Sequence, residues 1–337
     1  MNNHKLGIDF VIMWVDPNDI EWQRKKAKYS TRKNEDDSIA RYRDWELLKY
    51  WFRGVEKFAP WVRKVFFVTD GQKPAWLNDS YERLVCVDHR DYIDEKYLPV
   101  FNSSAIEIGL HKISGLSEKF VLFNDDCFII NNIKEDYYFN QGLPVDIAGF
   151  TRAISQPTEQ SSTFHWLMYN DYCLLNRRFS KKEVLKKNWK QWFKLSYGKD
   201  LLRTLLNCNR EKFDGIINQH LSAPYLKQDF EKCWAEYYDD LVAVYNNRFR
   251  SNKDINQYIF RFFRMCEGTF SPRAVKGKYI GLKNDKDVDK AVRIICKQKV
   301  PELCINDCWS GDEFEQAKKC LIYAFDSILP YKSRFEI

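Results

Sequence analysis

The stretch Lys119-Phe-Val-Leu-Phe-Asn-Asp-Asp-Cys-Phe-Ile-Ile130 decides how the rest of the chain is read. Its apolar run, Phe120 to Phe123, has the length and composition of a buried strand. The run stops at Asn124 and two adjacent acids, Asp125 and Asp126, and a second apolar run, Cys127 to Ile130, follows at once. Carboxylates at the C-terminal end of a central strand sit where open α/β sheets take their ligands. Neighbouring acids repel unless a proton or a cation intervenes. A hard ion such as Mg²⁺ does this through oxygen ligands shared with a phosphate. A metal-diphosphate site is one reading; a solvated turn is the other, since Asn and Asp are ordinary turn residues.

Working outward, Ile8 to Val15 is a second strongly apolar strand candidate, ending at Asp16-Pro-Asn-Asp19. A short helix and a loop around Asn34 to Ser38 follow. Apolar residues at helical spacing (Trp45, Leu48, Trp51, Phe52, Val55, Phe58) predict a helix over 41–58, stopped by Pro60. Val62 to Thr69 is a strand that ends in Asp70-Gly71-Gln72, and Leu84 to Val87 is another, ending in Asp88-His-Arg-Asp91. Asn102-Ser103-Ser104 offers helix caps, and Glu107 completes a capping box if Ser104 is the cap. His111, seven residues after Ser104, then falls on the same helix face. Asp146 to Phe150 reads as one more strand.

This order predicts an α/β fold with a mostly parallel, Rossmann-like sheet. From about 155 to 265 helical patterns dominate, giving three expected parts: α/β over 1–154, a mainly helical insertion over 155–265, and a C-terminal part over 266–337 that returns to the first and ends in a helix over 313–328. Acidic or polar turns recur at three strand ends (Asp16/Asp19, Asp70/Gln72, Asp125/Asp126), which in a parallel sheet face one crevice.

Composition narrows the class. The net charge of +7 is mild; it permits anionic substrates or an anionic membrane surface and does not indicate nucleic acid. The basic clusters around 24–26, 177–182 and 186–187 read as solvated helix faces. None of the ten cysteines shows CxxC spacing, and Cys86, Cys127 and Cys296 read as small buried hydrophobes. A reducing compartment fits. The N-terminus lacks a signal peptide pattern and no apolar run has membrane-spanning length, so a soluble or peripheral protein is expected. The abundant aromatics build either core or sugar platforms. Of the histidines, His4 is terminal, while His220-Leu-Ser-Ala-Pro-Tyr225 looks loop-like because of Pro224, a setting that suits proton transfer or phosphate contact. Arg248-Phe-Arg250 is either a phosphate-binding pair or a surface cluster. No Walker loop, GxGxxG or GxSxG is present.

Together these stretches resemble the Stealth family of sugar-phosphate transferases. The resemblance is carried by Ile8-Asp-Phe-Val-Ile-Met-Trp-Val-Asp16, by Arg43-Asp-Trp-Glu-Leu47, Val68-Thr-Asp-Gly-Gln72, Leu98-Pro-Val-Phe-Asn-Ser-Ser-Ala-Ile-Glu107 with His111, and Leu122-Phe-Asn-Asp-Asp126. Further along it is carried by His220 with Pro224, Arg250 with Asp254 and Asn256, and Cys304-Ile-Asn-Asp307. Asp16 stands where many relatives carry Asn.

The resemblance implies a nucleotide-sugar-binding, GT-A-like domain. It also implies transfer of a hexose- or N-acetylhexosamine-1-phosphate from a UDP-sugar to a hydroxyl of a capsular oligosaccharide or polysaccharide, with UMP released. A conventional metal-dependent glycosyltransferase releasing UDP, or a non-catalytic glycan-binding protein, are the alternatives. The roles implied are Asp125, Asp126, Asn306 and Asp307 around Mg²⁺ or Mn²⁺, with Asp125, Asp126, His220 and Arg250 catalytic. Asp9, Asp16, Arg43, Asp70, Gly71 and Gln72 would hold the nucleotide; Asn102, Ser103, Glu107, His111 and Asn124 would line the substrate. A cytoplasmic location, peripheral at the inner membrane face beside a capsule-assembly complex, is the matching expectation.

Overall fold

The computed structural model describes residues 7–30, 43–311 and 313–337. His4 and the loop expected around Asn34 to Ser38 lie outside these. In chain order the elements are β1 (Ile8–Met13), α1 (Ile20–Tyr29), α2 (Leu48–Phe58), β2 (Val65–Thr69), β3 (Leu84–Asp88), α3 (Ser103–Glu107), β4 (Lys119–Phe123) and β5 (Cys127–Ile129). Then come β6 (Phe139–Asn140), β7 (Leu143–Asp146), α4 (Thr163–Arg178), α5 (Lys181–Trp192), α6 (Lys199–Asn207), β8 (Ala223–Leu226), α7 (Lys227–Glu236), α8 (Tyr238–Tyr245) and α9 (Tyr258–Glu267). The chain ends with β9 (Ser271–Pro272), β10 (Gly277–Leu282), α10 (Asp285–Lys297), β11 (Glu302–Asp307) and α11 (Phe314–Ile328).

The central sheet has the order β3-β2-β1-β4-β8. The first four strands are parallel and β8 closes the edge antiparallel to β4. Strand order reverses between β1 and β4, so a ligand crevice opens beyond their C-terminal ends. Both faces are covered. Val11, Phe66, Val68, Phe120 and Leu122 point into a core shared with α4, α7 and α9, while Phe10, Ile12, Phe67, Val121 and Phe123 point into one shared with α2, α10 and α11. This double burial is why the strands read as continuous apolar runs rather than alternating ones.

Several boundaries differ from the sequence reading. The helix expected over 41–58 begins only at Leu48. Asp44 accepts a hydrogen bond from the Glu46 N–H at 2.7 Å, and Glu46 takes a left-handed φ of 57°, a turn that delays the helix. The strand expected over 146–150 is β7, which ends at Asp146. Pro224, read as a loop marker, lies within β8, where an edge position tolerates its missing N–H. That strand comes from the segment expected to be mainly helical and ties it into the central sheet. The C-terminal part packs back through β11, which pairs with β5. Cys127 is buried as expected, but Cys86 and Cys296 are exposed, and all ten cysteines are free.

Candidate active site

β4 ends at Phe123 and the chain turns at once, the Cys127 N–H donating to the Asn124 carbonyl at 3.1 Å. β5 then runs antiparallel to β11, with Cys127 opposite Cys304, and the Ile305 N–H donates to the Asp126 carbonyl at 2.8 Å. Asp125 and Asp126 are thus fixed in the corner between two sheets.

Asp126 faces His220, with Oδ2 and Nε2 3.7 Å apart. Burial alone would raise the Asp126 acid, but His220 and the neighbouring thiols hold it below its ordinary value. Burial would conversely lower the imidazole; Asp126, Cys304 and Tyr258 instead push it up to about 12, which favours its protonated form. Asp125 is open to solvent and has no side-chain partner among the described residues. The protein packed beside it partly desolvates the acid and the charge of Asp126 repels its ionised form, so it is raised above its ordinary value.

His220 is held firmly for a loop residue. Its φ of 45° is left-handed, a conformation that persists in a non-glycine residue only where the surroundings enforce it. Its N–H donates to Asn218 Oδ1 at 3.3 Å, and that oxygen also accepts from Arg261 at 3.1 Å. Its Nδ1 lies 3.2 Å from the Tyr258 hydroxyl. Two residues on, the Ser222 N–H donates to Glu302 at 2.6 Å and the Ser222 hydroxyl to Tyr138 at 2.9 Å. Behind Asn218 stands a buried network: Arg261 grips both oxygens of Asp146, and Arg264 bridges Asp146 and Asp229. None of Tyr258, Asn218, Arg261, Asp146, Glu302 or Cys304 was a site candidate from sequence. The spacing of Arg261 and Arg264, on one face of a buried helix, was the available signal.

A second junction joins residues far apart in the chain. The Asn102 amide donates to Asp254 at 2.8 Å and to the Asn247 carbonyl at 3.1 Å. Phe101 stacks on Phe249 with centroids 5.2 Å apart, and Arg250 donates to the Ser103 hydroxyl at 2.8 Å. No acid among the described residues pairs with Arg250. Asn102, not Ser104, caps α3, accepting from the Ser104 N–H at 3.1 Å. Glu107 completes no capping box. It is buried, accepts from the Gln257 N–H at 3.3 Å, and burial pushes its acid up to about 7.

At the first two strand ends, Gln72 clamps the turns together: its amide accepts from the Asp16 N–H at 2.9 Å and donates to the Asp16 carbonyl at 2.9 Å and to Asp19 at 3.1 Å. Asp70 pairs with Lys25 at 2.7 Å. Gly71 has φ 75°, and a Cβ there would sit 3.1 Å from Asp88.

Two residues expected in the site lie elsewhere. Asp9 is fully buried near the start of β1, bound by Arg63, the Ser117 N–H and the Lys64 N–H, at the strand end opposite the crevice. His111 is not on α3, which stops at Glu107; it sits on a separate turn against Phe230 and Trp234, where burial lowers it to about 4.

For a hard divalent cation the donor set divides. Asp125 and Asp126 suit it by residue type: they are neighbours in the chain, the charge of Asp126 bears on Asp125, Asp125 has no side-chain partner among the described residues, and an ion that keeps waters and phosphate ligands needs only one or two carboxylates. Asp307 is already committed, accepting from Trp45 at 3.1 Å, from the Trp309 N–H at 2.8 Å and from Arg43 at 3.4 Å. The Asn306 amide donates to Tyr279 at 3.2 Å. Donor atoms of Asp126, His220 and Cys304 lie within 4.8 Å of one another, a mixed set that suits a borderline ion better than Mg²⁺.

The fold places these paired charges at the ligand crevice of an open α/β sheet. Comparison with known proteins makes this specific. Conserved region 1 of the Stealth proteins matches residues 7–34 and conserved region 2 matches residues 41–145. The capsular polysaccharide phosphotransferase WcwK of Streptococcus pneumoniae is 38% identical over 334 residues, 98% of each chain. The receptor polysaccharide phosphotransferase WefC of Streptococcus gordonii is 39% identical over 337 residues, 98% of this chain and 99% of the relative. The exopolysaccharide phosphotransferase cps2G of Lactiplantibacillus plantarum is 36% identical, over 98% of this chain and 96% of the relative. The chain belongs to the Stealth family and is a phosphotransferase. Among solved structures, mouse xyloside xylosyltransferase 1 aligns over 88% of this chain and 98% of its own, with TM-score 0.36 and 12% identity, too distant to assign the fold, which stands on the sheet order above.

Proposed function

We propose that the protein transfers a sugar-1-phosphate from a UDP-sugar to a hydroxyl of a capsular-type glycan. The acceptor oxygen attacks the β-phosphorus, the bond from that phosphorus to the oxygen bridging to the α-phosphate breaks, and UMP leaves. The sugar–oxygen bond survives, the product is a phosphodiester, and the hydroxyl proton is released. The observation that carries this reading is the pairing of His220 with Asp126 at the C-terminal end of the central strand. Transfer through a loose, anionic transition state asks for positioning and charge stabilisation more than for covalent chemistry. In this reading His220 and Arg250 turn positive charge toward the equatorial phosphoryl oxygens. Ser103 and Asn102 hold the Arg250 loop, and the turns clamped by Gln72 receive the nucleotide. Asp125 and Asp126 would hold Mg²⁺ or Mn²⁺, which when bound neutralises diphosphate charge.

The nucleotide product tests this. With Mg²⁺, a capsular-type oligosaccharide and a panel of UDP-sugars, the reading requires acceptor-dependent UMP. UDP in its place means a conventional glycosyltransferase.

A further inference from the structure

Helix α6 is inside out. Its one buried side chain is Thr204, whose hydroxyl accepts from the Phe150 N–H at 3.1 Å and donates to the Asp200 carbonyl at 2.7 Å. Leu202, Leu205 and Leu206, which share a face at spacings of three and four, are 61%, 53% and 73% exposed. Just before them Leu195 is 87% exposed, and Trp189 at the end of α5 is 54% exposed. Apolar residues scattered singly need no explanation, but three leucines on one face of a helix, with Trp189 and Leu195 exposed in the segment that leads into it, make an apolar stripe that water does not favour.

Charge accompanies the patch. Residues 181–212 contain ten Lys/Arg and three Asp/Glu, a net charge of +7, equal to that of the whole chain. Lys182, Lys186, Lys187, Lys190, Lys199, Arg203 and Lys212 are all exposed. Among the described residues only Arg203 of these has an acidic partner, Asp200 at 3.7 Å.

We propose that the end of α5, the turn after it and α6 dock the protein on an anionic lipid bilayer. Leucines and a tryptophan entering the headgroup-acyl boundary, with lysines reaching the phosphates, is the composition of an in-plane interfacial helix. A soluble polyanion would use the lysines but leave the leucines in water. A second copy of this chain would set +7 against +7. No helix among the described residues is long and apolar enough to cross a membrane, so the contact is peripheral. The inference goes beyond the phosphotransfer reading and does not depend on it.

The test is sedimentation of the full chain with phosphatidylglycerol-containing vesicles and with neutral phosphatidylcholine vesicles. Binding to the anionic vesicles is expected, weakened between about 0.1 and about 0.5 M NaCl. Replacing the leucines together (L202S, L205S, L206S) is expected to weaken it at least about tenfold. The charge reversals K186E, K187E and K190E do so by a separate route, which answers the question should the leucine variant fail to fold by circular dichroism. Wild type that ignores anionic vesicles overturns the proposal. So does vesicle binding equal to wild type in a folded variant, or a wild-type dimer that the leucine variant converts to monomer, which would make the patch a self-interface. UMP release with a soluble acceptor, expected unchanged in the leucine variant, reads the phosphotransfer function separately.

Discussion

Nε2 of His220 lies 3.7 Å from Oδ2 of Asp126, across the corner where the central sheet meets the β5-β11 ladder. The pair joins the strand-end acids to a loop that nothing local in the sequence attaches to them. The proposed chemistry rests on this pairing, and so does the first prediction.

His220→Gln is expected to lower kcat for UMP formation about 100-fold or more, with a smaller effect on the KM for donor, because it removes charge offered to the transition state. A variant that loses only donor affinity, with kcat preserved, would contradict the role. Circular dichroism of the variant checks that the loop change leaves the fold intact.

Arg250→Lys is expected to recover little of what Arg250→Ala loses. A lysine carries the charge but not the planar fork that would hold a phosphoryl oxygen while donating to the Ser103 hydroxyl. Steady-state kinetics decide it: full rescue by lysine would reduce Arg250 to a point charge.

Asp146→Ala is expected to destabilise the fold by roughly 3–5 kcal/mol, since it strands the buried Arg261 without its anion and leaves the buried Arg264 with Asp229 alone. Urea unfolding measures this. A loss under about 1 kcal/mol would mean that the arginines find other partners or water.

Glu107 gives a pH dependence of definite sign. Its acid is raised from 4.5 to about 7 in the fold by burial. The folded state therefore keeps a proton that the unfolded chain sheds first. The stability from this group is complete below about pH 4.5 and is lost as pH rises toward about 7. Glu107→Gln is expected to flatten the fall in unfolding free energy over that window, by an amount on the order of 2–3 kcal/mol. Parallel pH profiles for wild type and variant would show that Glu107 does not carry the effect.

What the sequence made legible was local. Phe120 to Asp126 shows its strand and its acids because both faces of β4 are buried and the break to Asp125 is abrupt. The same holds for Ile8 to Asp16 and for Val65 to Gln72, so the parallel sheet and its crevice could be read in advance. Long-range pairing could not. Asn102 meets Asp254 at a separation of 152 residues, and Arg250 meets Ser103 at 147. No periodicity reports such contacts. Asp9 misled because a strand shows its apolar pattern at both ends, while only its C-terminal end faces the crevice. Pro224 misled because the antiparallel edge strand it joins has little need of its N–H. The helix expected over 41–58 misled because Trp45 keeps helical spacing while bonding instead to Asp307 at 3.1 Å.

The most direct test of the central claim follows one phosphorus atom. A UDP-sugar carrying ³²P at the β-position, incubated with the enzyme, Mg²⁺ and acceptor oligosaccharide, is expected to deliver its label to the glycan in a phosphodiester that resists phosphatase, with unlabelled UMP in solution. Label that stays with the nucleotide as UDP, while the sugar alone reaches the glycan, would contradict the account.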